Sequence, residues 1–573
     1  MESAHKHDLT SGQDWPNLAA MMFGLAQGWP DRPMLRHYQD GAWHRVTWGE
    51  FARRAASVAR RLRAGGVSAG DRVLLCSESR PEVPILEVAL MAIRAVPVPA
   101  YTTNTPADHA HLLLDSGARV AVASTLALLA RVQAGAALTG GLDRLIGMAP
   151  DHPDPFAALE ADTAHPGDIM AEAAIIPPGA LACLIYTSGT SGAPRGVMLP
   201  HRAILSNIRG AHELVRPLHL KDEVHLSCLP LSHSFEHTVT QFFLQSLGTE
   251  VVYCRGLEHF AADMLAIRPT TMTLVPRVLE LVRNRVLLAM SREPAWRQRL
   301  FQRALDAGQR RVEGRLTLVD RLADPILDRL VRRKVRARFG GRFRAAMSGG
   351  ARLDPEVLRF FQSLGLTILQ GYGQTEAGPV ISASNRLTDP PGCVGRPLAG
   401  VELRLADDGE ILVRGGLVMD GYWGQPDATA EVLRDGWLHT GDIGALAADG
   451  TLTITDRKKD LIVLSGGENV SPARIEGLLM NEPEIVQAVV TGDGEAGLSA
   501  LLVPAEGGDA PTVAAAVARL NKRLSQTERL RRHALVPPFT IENGLLTPSH
   551  KIRRRAVIQL HGAALHPAKA ALT

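Results

Sequence analysis

The stretch Tyr186-Thr-Ser-Gly-Thr-Ser-Gly-Ala-Pro-Arg-Gly196 is the most informative part of the sequence. It places four Ser or Thr hydroxyls and three glycines between two short apolar runs. Glycine backbones allow several amide N–H groups to converge on one anion, and hydroxyl side chains add further donors. The composition therefore predicts a phosphate-binding loop, with an ordinary polar turn as the alternative.

The candidate ligands in this loop share a small side chain or a hydrogen-bond donor. They are Thr187, Ser188, Gly189, Thr190, Ser191, Gly192 and Arg195. Arg195 would add a planar and permanently charged guanidinium. The spacing differs from G-x-x-x-x-G-K-[ST], so the sequence does not predict a Walker loop.

The runs around the loop predict rigid supports for it. Residues 181–186 are apolar and predict a buried strand, residues 197–199 predict a second strand, and an amphipathic helix follows from about His201. Elsewhere, strand-like runs such as Arg72–Cys76 alternate with helix-like runs such as residues 51–64. This alternation predicts α/β sheets with helices on both faces.

The chain has 573 residues, which is too long for one ordinary core. After Pro391, short segments and glycine-rich turns predict a compact β-rich lobe that ends near Asp456. Beyond it, the order strand, helix, strand, helix predicts a separate small α+β domain. The sequence thus predicts an α/β protein whose large domain, residues 1–456, contains two α/β sheet subdomains plus the β-rich lobe, followed by a domain of residues 457–573.

Six further stretches carry compact groups of polar residues and glycines. In chain order they are 229–237 (LPLSHSFEH), 348–351 (SGGA), 371–376 (GYGQTE), 436–442 (GWLHTGD), 456–460 (DRKKD) and 546–551 (LTPSHK). Together with the loop they resemble, in order, the motifs of the acyl-adenylate-forming enzymes, the superfamily of acyl-CoA synthetases, luciferases and peptide-synthetase adenylation domains. The tail at 538–547 and an arginine-rich segment before Ser348 most resemble long-chain fatty acyl-CoA synthetases.

The resemblance implies roles for four catalytic residues and a mobile small domain. Lys551 matches the lysine that contacts the carboxylate and the α-phosphate, although alone it could be read as a surface lysine beside other basic residues. Glu376 matches the carboxylate that binds Mg²⁺, and Thr375 matches a hydroxyl that binds phosphate. His233 matches a residue that shifts beside the acyl carbonyl, which implies a gating role.

The resemblance also assigns the nucleoside contacts. Tyr372 resembles the aromatic residue that stacks on adenine, and backbone at Gly349, Gly350 and Ala351 would approach the other side of the ring. Gly373 is a further candidate for nucleotide binding. Asp442 matches the carboxylate that accepts hydrogen bonds from both ribose hydroxyls, and Arg457 resembles a second ribose contact. Read without the resemblance, Asp442 is a typical turn residue.

A second set of residues matches the thioester-forming step. Lys459 matches the hinge about which the small domain swings, with a solvated surface charge as the alternative. Gly466 and Gly467 correspond to the surface that lines the channel for CoA. Arg195 departs from the family, which usually has lysine there, and predicts altered handling of the β- and γ-phosphates with activity retained.

The acyl pocket is predicted from nearness to these motifs alone. Its candidate residues are Phe235, Thr238, Val239, Leu274 and Val275. Their largely apolar character suits a hydrocarbon chain but does not set its length.

The composition and charge limit the functional classes. The sequence is 46% hydrophobic and 21% charged, as in ordinary globular proteins, and shows neither a signal peptide nor a spanning helix. We therefore expect a cytoplasmic location, with buried and reduced cysteines. Residues 297–344 carry fifteen Arg or Lys against five Asp or Glu. This helical segment could contact an anionic membrane or be a solvated face, and its lack of interleaved aromatics argues against nucleic acid.

The resemblance implies ATP, Mg²⁺, a fatty acid and CoA as ligands. The predicted reaction converts a fatty acid of medium to long chain into acyl-AMP and then acyl-CoA, with release of pyrophosphate and AMP. One alternative is a fatty acyl-AMP ligase that loads an acyl-carrier protein. A second is a non-catalytic sensor of acyl groups or nucleotides. The sequence does not predict an oligomeric state.

Overall fold

A computed structural model describes residues 14–187, 193–256, 258–384, 389–390, 392–466, 468–548 and 550–565. The first part folds as α1 (Leu18–Gly28), β1 (Pro33–Gln39), β2 (Ala42–Thr47), α2 (Trp48–Ala64), β3 (Arg72–Cys76), α3 (Glu82–Ala92), β4 (Val96–Ala100), α4 (Pro106–Ser116), β5 (Val120–Ala123), α5 (Leu126–Ala137), β6 (Arg144–Gly147), α6 (Phe156–Leu159) and α7 (Gly167–Ala174). Strands β4-β3-β5-β6 form a parallel sheet, as the predicted alternation requires.

The phosphate-loop candidate lies between two paired strands. The elements of this region are β7 (Leu181–Thr187), β8 (Arg195–Pro200), α8 (His201–Val215), β9 (Val224–Ser227), α9 (Ser234–Thr238), a π-helical turn (Val239–Leu244), β10 (Glu250–Tyr253), α10 (Phe260–Ile267) and β11 (Thr271–Leu274). Strands β7 and β8 are antiparallel, with Thr187 opposite Arg195. The prediction of two strands and a helix from His201 is confirmed.

A helical insertion precedes the end of the central sheet. Its elements are α11 (Pro276–Ser291), α12 (Ala295–Val312), α13 (Leu318–Leu327), a π-helical turn (Asp328–Arg332) and α14 (Arg333–Ala337). They are followed by β12 (Ala345–Ser348), α15 (Pro355–Ser363), β13 (Thr367–Gly373), β14 (Val380–Ala383) and β15 (Arg396–Pro397). The sheet order is β15-β14-β13-β12-β11-β9-β10-β1-β2.

The centre of this sheet is parallel, and its carboxyl edge carries three of the motifs. Strand β9 leads into the segment with His233, β12 into Gly349, and β13 into Thr375. The carboxyl ends of parallel strands meet along one edge, where ligands of open α/β sheets bind. The sheet therefore brings together motifs that are far apart in the chain.

The β-rich lobe and the C-terminal domain complete the chain. The lobe contains β16 (Val401–Leu405), β17 (Glu410–Gly415), β18 (Gly421–Tyr422), α16 (Pro426–Val432), β19 (Leu433–Arg434), β20 (Trp437–Leu446) and β21 (Leu452–Arg457). The domain contains β22 (Ile462–Val463), β23 (Asn469–Val470), α17 (Pro472–Met480), β24 (Ile485–Thr491), β25 (Leu498–Pro504), α18 (Ala510–Asn521), β26 (Leu530–Leu535) and α19 (Arg554–His561). Strand β18 leaves the lobe to pair with β8.

The C-terminal domain has its own hydrophobic core. Its sheet, in the order β24-β25-β26, packs on α17 and α18 through buried residues such as Ile475 and Leu520. Strand β21 ends at Arg457, beside the predicted boundary, which stays a prediction. Across the described part of the chain, no helix is both long enough and apolar enough to traverse a bilayer.

Candidate active site

A cleft of about 480 Å³ opens at the carboxyl edge of the central sheet, facing the β-rich lobe and the C-terminal domain. Its walls come from all seven predicted motifs. The predicted residues among its lining are Thr187, Arg195, His233, Phe235, Gly349, Gly350, Tyr372, Gly373, Thr375, Glu376, Arg457, Lys459 and Lys551. The fold therefore gathers most of the predicted nucleotide and catalytic residues around one cleft.

Other predicted residues lie elsewhere or cannot be placed. Ala351 is exposed beyond the lining, and Gly466 is exposed on the small domain beside Glu468. Ser188, Gly189, Thr190, Ser191, Gly192 and Gly467 fall outside the described residues. Their predicted roles in phosphate and CoA binding stay predictions.

Lys551 reaches the cleft on a short closed loop. The Thr547 amide donates to the Lys551 carbonyl (2.8 Å), and the Lys551 amide donates to Thr547 Oγ1 (3.0 Å). The Pro548 carbonyl, at the tip, accepts from Thr103 Oγ1 of the large domain (2.6 Å). Burial and the positive charge of Arg457 lower the pKa of the Lys551 ammonium, while Glu376 and Asp442 oppose that shift.

Tyr422 connects the predicted metal ligand with the loop arginine. Its hydroxyl donates to Glu376 Oε1 (2.9 Å), and the Arg195 guanidinium lies 5.3 Å from the centre of its ring. Strand β18 places Tyr422 here by pairing it with Val197 of β8. The sequence did not point to Tyr422, because a single tyrosine after a glycine carries no spacing signal.

His233 and Thr375 approach the cleft from the carboxyl ends of β9 and β13, which are separated by two strands, β11 and β12, in the central sheet. His233 Nδ1 accepts from the Phe235 amide (3.2 Å), so the ring is oriented as an N-cap of α9. Burial, assisted by the charge of Lys551, lowers the pKa of His233 to about 4, so the ring is neutral at physiological pH. Thr375 Oγ1 lies 2.9 Å from Ser234 Oγ.

Asp442 lies behind the cleft and is held by two side chains. Its Oδ2 accepts from the Tyr372 hydroxyl (2.8 Å), and its Oδ1 accepts from Arg457 Nε (3.1 Å). Only 4% of Asp442 is exposed. A carboxylate has about four acceptor sites, so two such bonds leave capacity for the predicted ribose contact. Burial raises the pKa of Tyr372 well above its ordinary value, which keeps its hydroxyl protonated.

Comparison with known proteins identifies the family. The AMP-binding enzyme family matches residues 24–423, and the C-terminal domain of AMP-binding enzymes matches residues 459–566. The chain belongs to the AMP-binding enzyme family. The resemblance predicted from the seven motifs, and the predicted large and small α/β domains, are thereby confirmed.

Relatives of this AMP-binding enzyme include fatty acid ligases. The chain is 36% identical to the long-chain-fatty-acid–CoA ligase FadD15 of Mycobacterium tuberculosis, with 95% of each chain covered. It is 30% identical to the peroxisomal long chain acyl-CoA synthetase 6 of Arabidopsis thaliana, covering 89% of this chain and 79% of that one. These relatives confirm the predicted likeness to long-chain fatty acyl-CoA synthetases.

A solved structure shares the fold of this AMP-binding enzyme. The O-succinylbenzoate coenzyme A synthetase of Bacillus subtilis, in complex with ATP and magnesium ion, superposes with a TM-score of 0.70 at 21% identity. The match covers 94% of this chain and 98% of that one. The likeness supports the two-domain architecture described above.

The cleft of this AMP-binding enzyme suits a magnesium ion that arrives with ATP. The described residues contain no cluster of three His, Cys, Asp or Glu side chains, so they form no all-protein metal cage. Glu376 supplies one carboxylate, and the Tyr422 hydroxyl occupies only one of its oxygens. Mg²⁺ commonly takes one or two carboxylates together with substrate phosphates and water, so this donor set fits it.

The five predicted acyl-pocket residues do not line one cavity. Phe235 faces the cleft with its ring against Gly349, and Thr238 and Val239 are buried near it on the same helical segment. Leu274 instead lines a narrow apolar void under α11, and Val275 occupies the N-cap position of that helix. Consecutive residues at this strand end face different layers. Phe235 lines the cleft, and the predicted acyl pocket stays a prediction.

Lys459 lies at the mouth of the cleft, just after strand β21. The neighbouring Lys458 is paired with Asp408 (2.5 Å) and Glu410 (3.1 Å), both from the β-rich lobe. The chain then turns at Lys459 and Asp460 into the small domain. Lys459 thus occupies the link between the two domains, and its role as a hinge stays a prediction.

Proposed function

We propose that this chain is an AMP-forming acid–thiol ligase. It activates a fatty acid of medium to long chain with ATP and passes the acyl group to CoA. The observation that carries the proposal is the convergence of Lys551, Glu376 and Arg195 on one cleft, although they come from three distant segments. The printed names of its relatives, which describe long-chain fatty acid ligases, supply the substrate class.

The first half-reaction joins the fatty acid carboxylate to the α-phosphate. A carboxylate oxygen attacks phosphorus, and pyrophosphate leaves, so two anions must be brought together. Lys551 offers an ammonium to both groups, and Arg195 offers a second cation to the β- and γ-phosphates. Magnesium held by Glu376 would neutralise further phosphate charge.

Neutral groups orient the acyl end. His233 Nδ1 accepts a hydrogen bond from the Phe235 amide, so the neutral ring carries its proton on Nε2. Because its pKa is lowered to about 4, His233 does not repel Lys551 at neutral pH. We assign to His233 and Thr375 the positioning of the carboxylate and phosphate, and to Tyr372, Asp442 and Arg457 the binding of the nucleoside.

The second half-reaction transfers the acyl group to a thiol. The CoA sulfur attacks the acyl carbonyl, AMP leaves, and the thiol proton is released. In this proposal the domain of residues 457–573 turns about Lys459, withdraws Lys551 and brings Gly466 and Gly467 to the CoA channel. Beyond the linking residues Arg457 and Lys458, few hydrogen bonds join the described parts of the two domains, and this supports a movement of that kind; Thr103 to Pro548 is one, and Asn481 to Asp354 is another.

Replacing Lys551 with alanine tests the proposal. We expect acyl-AMP formation to fall by at least about a hundredfold, since one preorganised cation facing the developing charge is lost. Binding of ATP should persist. The measurement is mass spectrometry of acyl-AMP and acyl-CoA after mixing protein, ATP, magnesium and a panel of fatty acids, with and without CoA.

Lys522→Ala is the matched control, because Lys522 is an exposed lysine of the same small domain. It should leave both products unchanged. Acyl-AMP that accumulates despite CoA would instead favour a loader of carrier proteins. Absence of turnover by the unmodified protein with every acid in the panel would contradict the ligase and favour a sensor.

A further inference from the structure

Helix α13 and the turn after it expose an apolar stripe to solvent. The exposed fraction is 78% for Leu318, 63% for Val319, 81% for Leu322, 60% for Ile326 and 46% for Leu330. We call these five residues the outer stripe. A surface helix of a soluble protein normally turns such a face toward the core. Large apolar side chains that recur over successive turns of one exposed face mark an interaction site.

The opposite face of the same segment is charged and points inward. Asp320 is buried and accepts from Arg310 (2.7 and 2.8 Å), and Asp328 accepts from Arg336 (2.8 and 2.9 Å). Between them, Asp324 pairs with the fully buried Arg332. The usual arrangement of an amphipathic helix is thus partly reversed, because these ion pairs face the protein and the five residues of the outer stripe face solvent.

The charges that remain exposed beside the outer stripe are positive. Arg321, Arg329, Arg333 and Lys334 are exposed on α13, the following turn and α14. From residue 315 to residue 338 the acidic residues are the three inward aspartates, so the exposed charges of this stretch are all positive. A row of apolar side chains bordered by cations is the pattern of a helix that lies in the surface of an anionic membrane.

We infer that the outer stripe is a docking surface for an anionic lipid bilayer. The apolar side chains enter the boundary between headgroups and acyl chains, and the four cations contact lipid phosphates. A second copy of the chain fits less well, because a twofold contact would place these cations against one another. The inference does not rest on the proposed ligase activity, since docking requires no catalysis.

Vesicle flotation tests the inference. The intact chain should float with vesicles of phosphatidylglycerol and much less with vesicles of phosphatidylcholine, and added salt should weaken the binding. The double substitution Leu322→Asn with Ile326→Asn should weaken vesicle binding by at least about tenfold, because two apolar side chains that would enter the membrane are lost. Arg329→Gln with Arg333→Gln should weaken it by roughly 25-fold, since each cation contributes about fivefold at such a surface.

The control makes the same chemical change on another lobe. Leu126 begins α5 and Leu138 directly follows it, and they are 64% and 67% exposed, so Leu126→Asn with Leu138→Asn should leave flotation unchanged. If the intact chain stays unbound, or if the outer-stripe variants float as well as the control, the inference is wrong. A dimer that the Leu322 and Ile326 variants dissociate, seen by analytical ultracentrifugation without vesicle binding, would also overturn it.

Discussion

Tyr422 is a single residue on which three parts of the cleft depend. Its hydroxyl orients the Glu376 carboxylate, its ring lies under Arg195, and its backbone pairs with the strand after the phosphate loop. Burial and the nearby Glu376 raise the pKa of Tyr422 above its ordinary value, so the hydroxyl stays a donor. The hydroxyl therefore holds the Glu376 carboxylate in one orientation, which suits a magnesium ligand.

Tyr422→Phe is expected to raise the magnesium concentration needed for pyrophosphate release. The change removes one hydrogen bond to a charged group and keeps the ring beneath Arg195, so we expect a loss of about tenfold in kcat/KM at limiting magnesium. Melting temperature should change little. Titration of magnesium in a pyrophosphate-release assay measures the effect.

Tyr38→Phe serves as the comparison, because Tyr38 is 39% exposed and lies in the edge hairpin far from the cleft lining. An unchanged magnesium dependence in Tyr422→Phe would show that the hydroxyl does not support Glu376. A large fall in stability would point to a packing role instead.

At this scale the sequence predicted the residues that lie in motifs and missed those that support them. Lys551 and Glu376 were found because each lies in a short pattern. Tyr422 and Ser234 were not assigned roles, since their contacts to Glu376 and Thr375 join positions that only the fold brings together. The acyl pocket stays a prediction, since Phe235 and Leu274 line different cavities although both lie near motifs in the sequence.

At the scale of elements, α9 rests on strands β9 and β11 through a buried acid. Glu236 accepts hydrogen bonds from Ser227 on β9 and from Thr273 on β11, and no part of it is exposed. His225 lies 3.3 Å from Thr273 Oγ1, and burial lowers the pKa of that histidine to about 3. Burial raises the pKa of Glu236 from 4.5 to about 7, since the apolar surroundings disfavour its charge.

Glu236→Gln is expected to remove a pH dependence of stability. The folded pKa lies above the unfolded one, so the stability that this group contributes is full below about pH 4.5 and is lost as pH rises to about 7. Relative to the variant, the wild-type free energy of unfolding should therefore fall by roughly 2 to 3 kcal/mol between about pH 5 and about pH 8. Urea unfolding followed by tryptophan fluorescence measures it.

Glu506→Gln makes the same substitution at an exposed position and serves as the control. Its free energy of unfolding should vary with pH as that of wild type does. If the free energy of unfolding changes with pH in the same way for wild type and for Glu236→Gln, then Glu236 keeps one protonation state over the whole pH range.

The helical insertion shows why the direction of a face is hard to predict. Asp320, Asp324 and Asp328 recur every four residues and, in sequence, resemble a solvated face. In the structure they point inward because Arg310, Arg332 and Arg336 come from neighbouring turns and helices to pair with them. The four-residue spacing of the aspartates could be read from the sequence, but the face of the helix that points inward depends on their arginine partners in the folded structure.

At the scale of the whole molecule, the position of the small domain depends on a few polar contacts. Thr103 donates to the Pro548 carbonyl (2.6 Å), and Asn481 Nδ2 donates to Asp354 Oδ2 (2.9 Å). The first contact lies at the tip of the loop that carries Lys551. The arrangement described here holds Lys551 at the cleft, and the domain movement that we propose for the thioester step would break these contacts.

Thr103→Val is expected to slow adenylation selectively. It removes the hydroxyl that steadies the loop while keeping the side-chain volume, and one hydrogen bond of about 1 kcal/mol corresponds to about a fivefold slower step. Thioester formation from supplied acyl-AMP should be unchanged or faster. Single-turnover measurements of each half-reaction separate the two.

Thr163→Val, on an exposed loop of the large domain, controls for the substitution itself. Equal slowing of both half-reactions by Thr103→Val would argue against a role in positioning the small domain.

The ring between Thr547 and Lys551 has a further consequence for timing. Its two ends hold each other through the backbone and through the Thr547 hydroxyl, and His550 adopts a left-handed conformation within it. The loss of conformational entropy is therefore incurred once, when the chain folds, and is not repeated at each turnover. If the small domain turns as proposed, Lys551 would be carried on a loop whose two ends are already joined, so the rate of its return would depend on rotation of the domain and not on a disordered segment finding its shape.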